Sequence, residues 1–259
     1  MGWYDSAWRF RAAVSVAHTS GVTPQDVTIA LPANFDHFWN NVESAAEDLR
    51  LVAADGETLL NYSITGFNST NRTGTVEGDG ITMTANSGMY LLWIYYGNSA
   101  ASDAQVATTI ASAETGAIEL AEPSISHANR IQPEQIGDDR PRGRMQKGAA
   151  EQLYIGFDAR PVLRSRAQAS ASSRVYEEVF YAIVTVEAAG SPQSSMVDGA
   201  KQRFIEIRGA LWILAFVKAG TTATNYTVVV EINTYVPPET THRILEPRFM
   251  LRIKDQAET

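Results

Sequence analysis

The chain predicts an all-β protein in two domains, and three observations carry that expectation. The first is residues 47–67, which read as strand, tight turn and strand. Leu49 and Leu51 point one way and Arg50 the other, Asp55-Gly56 supplies the positive φ of a hairpin turn, and Leu60, Tyr62 and Ile64 alternate with Asn61, Ser63 and Thr65. The second is the run of strand-like segments after residue 150, divided by Gly190-Ser191-Pro192, Asp198-Gly199, Gly220-Thr221 and Pro237-Pro238. The third is the change of composition over residues 99–150, where Ala, Ser, Thr and Gln give way to Pro123, Pro133 and Pro141. The expected domains are 1–120, a linker or extended arm over 121–150, and an antiparallel β-domain over 151–259.

In chain order, Phe10, Ala12, Val14 and Val16 share one face of a first strand, and Val27 to Leu31 form a second, ended by Pro32. Phe35, Phe38, Trp39 and Val42 recur at helical spacing, which predicts a short helix or helical turn before the hairpin. Residues 81–84 predict another strand, and Gly88 to Tyr96, apolar on both faces, a central strand covered on both sides. Residues 99–115 fit a helix or a weak strand. The C-terminal half predicts strands at Leu153–Asp158, Val175–Glu187, Arg203–Val217, Asn225–Tyr235 and Arg243–Ile253.

Composition excludes several functions. Net charge is −8, which disfavours binding to phosphate backbones. There is no cysteine, hence no disulfide, no thiolate metal site and no cysteine nucleophile, and the lack of disulfides favours folding in a reducing compartment. The N-terminus lacks the pattern of a secretory signal, and no apolar stretch is long enough to span a membrane. Asn-x-Ser/Thr triplets at Asn61, Asn68, Asn71 and Asn225 match chance in a chain this rich in Asn, Ser and Thr.

Chemistry-bearing patterns are sparse. His18, His37, His127 and His242 lie in separate segments without a metal-binding spacing. No Gly-x-Ser-x-Gly elbow and no phosphate-binding glycine loop occurs. The acidic pairs Glu47/Asp48, Asp138/Asp139 and Glu177/Glu178 are sequence neighbours, which on a strand face opposite ways. Asp48, Asp55 and Asp79 could offer oxygens to a loop calcium, but their setting favours turn formation. Trp3, Tyr4, Trp8, Trp93 and Tyr95 form either a sugar-stacking platform or core, and core is favoured. Arg140, Arg142, Arg144 and Lys147 make a basic cluster in an acidic chain, read equally as a solvated linker or as an arm that docks on an acidic neighbouring subunit. No residue set calls for a cofactor.

Three stretches carry a resemblance. They are the opening Trp3-Tyr4-Asp5-Ser6-Ala7-Trp8-Arg9-Phe10-Arg11, then Asp48 to Ile64 around Asp55-Gly56, then Leu91-Leu92-Trp93-Ile94-Tyr95-Tyr96-Gly97-Asn98-Ser99-Ala100. In order and spacing, over about residues 2–103, the chain resembles the domain family of unknown function DUF2341, a concanavalin-like β-sandwich module. The resemblance implies a jelly-roll fold over the N-terminal domain, found as a non-catalytic module in envelope, surface or phage-encoded proteins. It defines no catalytic residues. The chain departs from that setting by starting directly at the module without a signal peptide and by continuing into a further β-domain.

The expectation is a non-catalytic virion structural protein of a tailed bacteriophage, in the tail, the baseplate or a capsid-decorating position. It would be assembled in the host cytoplasm, with other virion subunits and further copies of itself as partners, a host surface glycan as a ligand, and neither nucleic acid nor membrane. A carbohydrate-binding lectin-like module is the alternative. A polysaccharide-cleaving jelly-roll enzyme is the second.

Overall fold

The structure is a computed structural model describing residues 3–18, 24–83, 88–110, 112–120, 130–131, 144–148, 151–159, 163, 178–207, 210–221, 224–235 and 243–254. The fold is all-β and sandwich-like, as the alternation of apolar residues predicts. Two compact units divide the chain, Met1–Leu120 and Ala121–Thr259. No helix is long and apolar enough to cross a membrane.

The first unit contains β1 (Phe10–His18), β2 (Gln25–Ala30), α1 (Asp36–Trp39), β3 (Arg50–Val52), β4 (Tyr62–Asn68), β5 (Thr73–Ile81), β6 (Gly88–Tyr96) and β7 (Ala113–Ile118). Its sheet runs β4-β5-β2-β7-β1-β6, and β3 adds to β6. β1 and β6 pair antiparallel along their full length, from Phe10↔Tyr96 to His18↔Gly88. That register sets Val14 and Val16 beside Leu92 and Tyr90 on one face, and Ala13 beside Trp93 on the other. All of these are buried, which is why β6 reads apolar on both faces. Gly116 of β7 sits where a Cβ would lie 2.6 Å from Ile29 and 3.0 Å from Val14, so only glycine lets β7 approach this core. The expected helical turn is α1, a single turn that buries Phe38 and Trp39.

Three expectations change here. The turn of the 47–67 hairpin forms as expected: Gly56 has φ 74°, Ala53 N–H donates to Thr58 O, and Leu60 N–H donates to Leu51 O. Beyond Leu60 the strands part, because β3 forms its ladder with β6 and β4 forms its own with β5. β3 is only three residues long and buried throughout, so it acts as a plug between β6 and the turn. The strand expected at 81–84 is the tail of β5, which ends at Ile81. Of the helix or weak strand expected over 99–115, residues 101–110 form neither, and a strand starts only at Ala113.

The second unit contains β8 (Arg130–Ile131), β9 (Arg144–Gly148), β10 (Leu153–Asp158), β11 (Glu178–Ala188), β12 (Ser191–Pro192), β13 (Val197–Ile207), β14 (Ala210–Val217), β15 (Asn225–Tyr235), β16 (Arg243–Leu245) and β17 (Arg248–Lys254). One sheet runs β11-β15-β17-β9, with β12 on β11 and β16 on β15, and the other runs β13-β14-β10-β8. The rings of Phe157 on β10 and Phe249 on β17 lie 5.6 Å apart, so the two sheets face one another through apolar residues. The Gln202 amide on β13 bridges them to β11, accepting from Val184 N–H and donating to Val184 O, each at 3.2 Å.

The expected strand Arg203–Val217 is instead the hairpin β13–β14, paired from Ile207↔Ala210. Arg243–Ile253 divides at Glu246-Pro247, since proline removes a ladder donor. The expected arm over 121–150 supplies two strands to this unit, β8 parallel to β10 and β9 parallel to β17.

Candidate functional site

The three stretches singled out in the sequence converge on Asp48. Asp48 is fully buried, between α1 and β3. One carboxylate oxygen accepts Glu43 N–H at 2.9 Å, and the other accepts Gly97 N–H at 2.6 Å and Asn98 N–H at 3.3 Å. Its carbonyl accepts the Trp8 indole N–H at 2.6 Å. One residue thus ties the N-terminus, the loop before β3 and the end of β6. Gly97 is required at its place, since it has φ 86° and a Cβ there would lie 2.6 Å from the Phe10 ring.

Arg50 supplies the opposite charge two residues later. Its guanidinium lies 4.8 Å over the Trp8 ring. Nη1 donates to Glu47 O at 2.8 Å and Leu49 O at 2.7 Å, and Nη2 donates to Ser102 O at 2.6 Å. Nη1 also reaches the Tyr62 hydroxyl at 3.4 Å, and that hydroxyl donates to Leu49 O. Alternation turned Arg50 to the face opposite Leu49 and Leu51, and that face is buried too, with Arg50 4 % exposed. The only sequence signal for its role was an arginine inside an apolar triplet beside an aspartate.

A second set of rings surrounds Arg11. Arg11 is held between Trp3 at 4.8 Å and Trp93 at 4.0 Å, and donates to the Tyr95 hydroxyl at 3.2 Å. Tyr95 donates to Gly56 O at 3.2 Å, and Trp93 to Ala54 O at 3.3 Å, which fixes the turn over these rings. Of the aromatic residues weighed as a sugar platform, Trp8, Trp93 and Tyr95 are buried and Trp3 is 40 % exposed.

The remaining candidates are scattered. Asp55 accepts Glu57 and Thr58 N–H groups, as a turn-forming aspartate does. Asp79 lies within β5. His37 meets the Tyr96 hydroxyl at 2.9 Å. His18 is fully buried at the end of β1, its Nδ1 lies 3.2 Å from Glu114, and its Nε2 has no partner among the described residues. That pair spans 96 residues, and no local pattern foreshadows it. His127, His242, Asp138, Asp139 and Glu177 lie outside the described residues. Among the described residues no group of three or more His, Asp or Glu side chains is placed to hold a metal ion.

The basic cluster is corrected in part. Arg140 and Arg142 lie outside the described residues, and Arg144 opens β9. Lys147 is 1 % exposed and donates to Ala219 O at 2.6 Å. Burial pushes its ammonium below the usual lysine range, partly offset by Glu151 and Tyr226. Lys147 therefore pins β9 to the turn after β14 instead of reaching outward.

Burial also raises the Tyr62 phenol to about 12 against an ordinary value of 10.0, with Arg50 pulling the other way, and it raises Tyr96 in the same direction. The fold prefers the protonated phenol, so this contribution is complete below pH 10 and is lost as pH rises from 10 to about 12. Lys147 and Tyr226 are both lowered, so their contributions instead rise with pH below their ordinary values of 10.5 and 10.0. Comparing the parent with Tyr62→Phe isolates the phenol. The parent's advantage in denaturant unfolding is expected to shrink by about 2 kcal/mol between pH 10 and 12. A constant gap across that window would contradict the assignment.

No family model matches the chain, and no curated protein matches it. Among solved structures, the crystal structure of a chicken TCR aligns with 95 % of this chain and 94 % of its own, at 7 % identity and a TM-score of 0.22. A likeness at that score carries no argument about fold or function.

Proposed function

We propose that the chain is a non-catalytic structural subunit of a tailed-bacteriophage virion, acting through protein–protein assembly. The observation that carries the non-catalytic part is the state of Asp48 and Arg50. They are the charged residues at the centre of the motif-bearing stretches, and the carboxylate oxygens of Asp48 and both terminal nitrogens of Arg50 are taken up by main-chain groups and a phenol. A general base or an electrostatic stabiliser must face a reacting atom, and these face the backbone. The sequence resemblance to a module of surface and phage-encoded proteins supports the virion setting. The test is mass spectrometry of gradient-purified particles from the phage that encodes the chain. Peptides of this chain at the stoichiometry of a structural component are expected, and their absence from particles would overturn the reading.

One observation favours a second reading, glycan binding. Trp3 keeps 40 % of its surface exposed, with the Arg11 guanidinium over its ring, and the exposed part is what a sugar C–H surface would stack on. A glycan array on the parent and on Trp3→Ala separates the two, since binding lost in the variant supports the lectin and an array without hits removes it.

A further inference from the structure

We propose that the outer face of β13, β14 and β10 carries a binding site for a carboxylate-bearing glycan, held by Lys201 and Lys218 beside the rings of Phe216 and Tyr154. The site lies in the second unit and is separate from Trp3. Phe157 on β10 faces Phe249 of the other sheet, and register puts Ile213 beside Phe157 on that inner face. The alternate residues therefore turn outward, with Tyr154 beside Phe216 and Phe216 beside Asp198. Further along this outer face Ile205, Ala210, Trp212 and Leu214 form a buried apolar cluster, against which Tyr154 packs. Its last row, Tyr154 and Phe216, is only half-buried, with ring centroids 5.0 Å apart.

A bulge brings charge to these rings. From Asp198 to Arg203 β13 advances five residues while β14, from Phe216 to Leu214, advances two. Bulges re-aim side chains, and this one aims two in opposite directions. Gln202 turns inward to Val184 of β11, and the Lys201 ammonium sits 4.2 Å from the centre of the Phe216 ring. Asp198 lies 3.8 Å from the Lys201 ammonium and 3.6 Å from that of Lys218, both beyond hydrogen-bond length. The two lysine side chains are 49 % and 39 % exposed. Among the described residues neither ammonium makes a hydrogen bond, so their N–H donors stay open to a ligand.

Charge and rings together select the occupant. Two ammoniums around one carboxylate leave a local positive excess in a chain whose net charge is −8, so the site favours an anion. The half-open rings beside them offer apolar surface to sugar C–H groups. The site is on the face of a sheet whose main-chain groups are used in its ladders, so an acidic peptide has no edge here to extend as a strand. A phosphate backbone brings charge at every nucleotide to an acidic chain, and two lysines are few for it. A glycan with a carboxylate among uncharged groups matches both the rings and the lysine pair. Its carboxylate and Asp198 compete for the same two ammoniums.

Isothermal titration calorimetry on the full chain compares sialyllactose with lactose, and a hyaluronan hexasaccharide with the N-acetylglucosamine hexamer. At least one acidic probe is expected to bind, and its uncharged counterpart is not. Lys201→Gln/Lys218→Gln is expected to weaken that binding about tenfold. Asp198→Asn is expected to tighten it about threefold, because the competing carboxylate is gone; ion pairs with only a structural role would not move binding upward. Trp3→Ala is expected to leave it unchanged. Four results each overturn the site: an uncharged counterpart that binds as well, a folded lysine double variant that binds like the parent, binding lost in Trp3→Ala, or a parent that binds neither acidic probe. The virion reading stands or falls separately, on particle composition.

Discussion

Asp48→Asn is expected to be the most destabilising single change in the first unit, lowering its unfolding free energy by about 3 kcal/mol. The carboxylate accepts three main-chain N–H groups in a site closed to water. An amide keeps one oxygen and turns an N–H₂ toward donors that need an acceptor. At least one buried N–H is then left unpaired, at about 1–3 kcal/mol, and the remaining bonds lose the carboxylate charge. The melting temperature of the unit is expected to fall by roughly 10 °C. Asp55→Asn is the control. Asp55 also accepts two N–H groups, but at an exposed turn where water can replace it, and about 1 kcal/mol or less is expected. Thermal unfolding of the pair decides the matter, and equal losses would contradict the buried clasp.

Arg50→Lys is expected to cost about 2 kcal/mol, although charge is conserved. The guanidinium fork reaches Glu47 O and Leu49 O with one nitrogen and Ser102 O with the other while lying flat on the Trp8 ring. A lysine ammonium is a single point on a flexible stem and cannot span both directions. Ser102 O is expected to lose its donor, and the start of the 101–110 segment to loosen. Hydrogen exchange at Val106 N–H, which bonds across to Tyr62 O, gives a local readout: its protection should fall in Arg50→Lys and stay unchanged in Arg9→Lys, an exposed arginine that stacks on Phe10.

Much of the fold could be read in the sequence where the signal is local. Leu153–Asp158 is β10 residue for residue, Asn225–Tyr235 is β15, and the two-sided apolar run from Gly88 to Tyr96 is β6. The Asp55-Gly56 turn follows from the need for positive φ at Gly56. The pairing of strands was hidden because it is set across long separations. Nothing near β3 says that its partner is β6, and nothing near β9 says that it runs parallel to β17. The site shows the same division. Trp8, Asp48 and Gly97-Asn98 stood out as motif residues, but that they meet is a fact of packing across 40 to 50 residues of chain. Alternation turned Arg50 away from its leucine neighbours, and Lys147 reads equally as part of a solvated linker or of a docking arm. Each is instead buried with its charged head on carbonyl oxygens, the arrangement that makes a buried cation tolerable.

The reading of the chain as an assembling subunit meets its most direct test in size-exclusion chromatography with multi-angle light scattering on the full chain, across a hundredfold range of concentration. The account predicts a defined mass at an integer multiple of the 28.3 kDa protomer, holding through the upper part of that range. A single 28.3 kDa species at every concentration would contradict it.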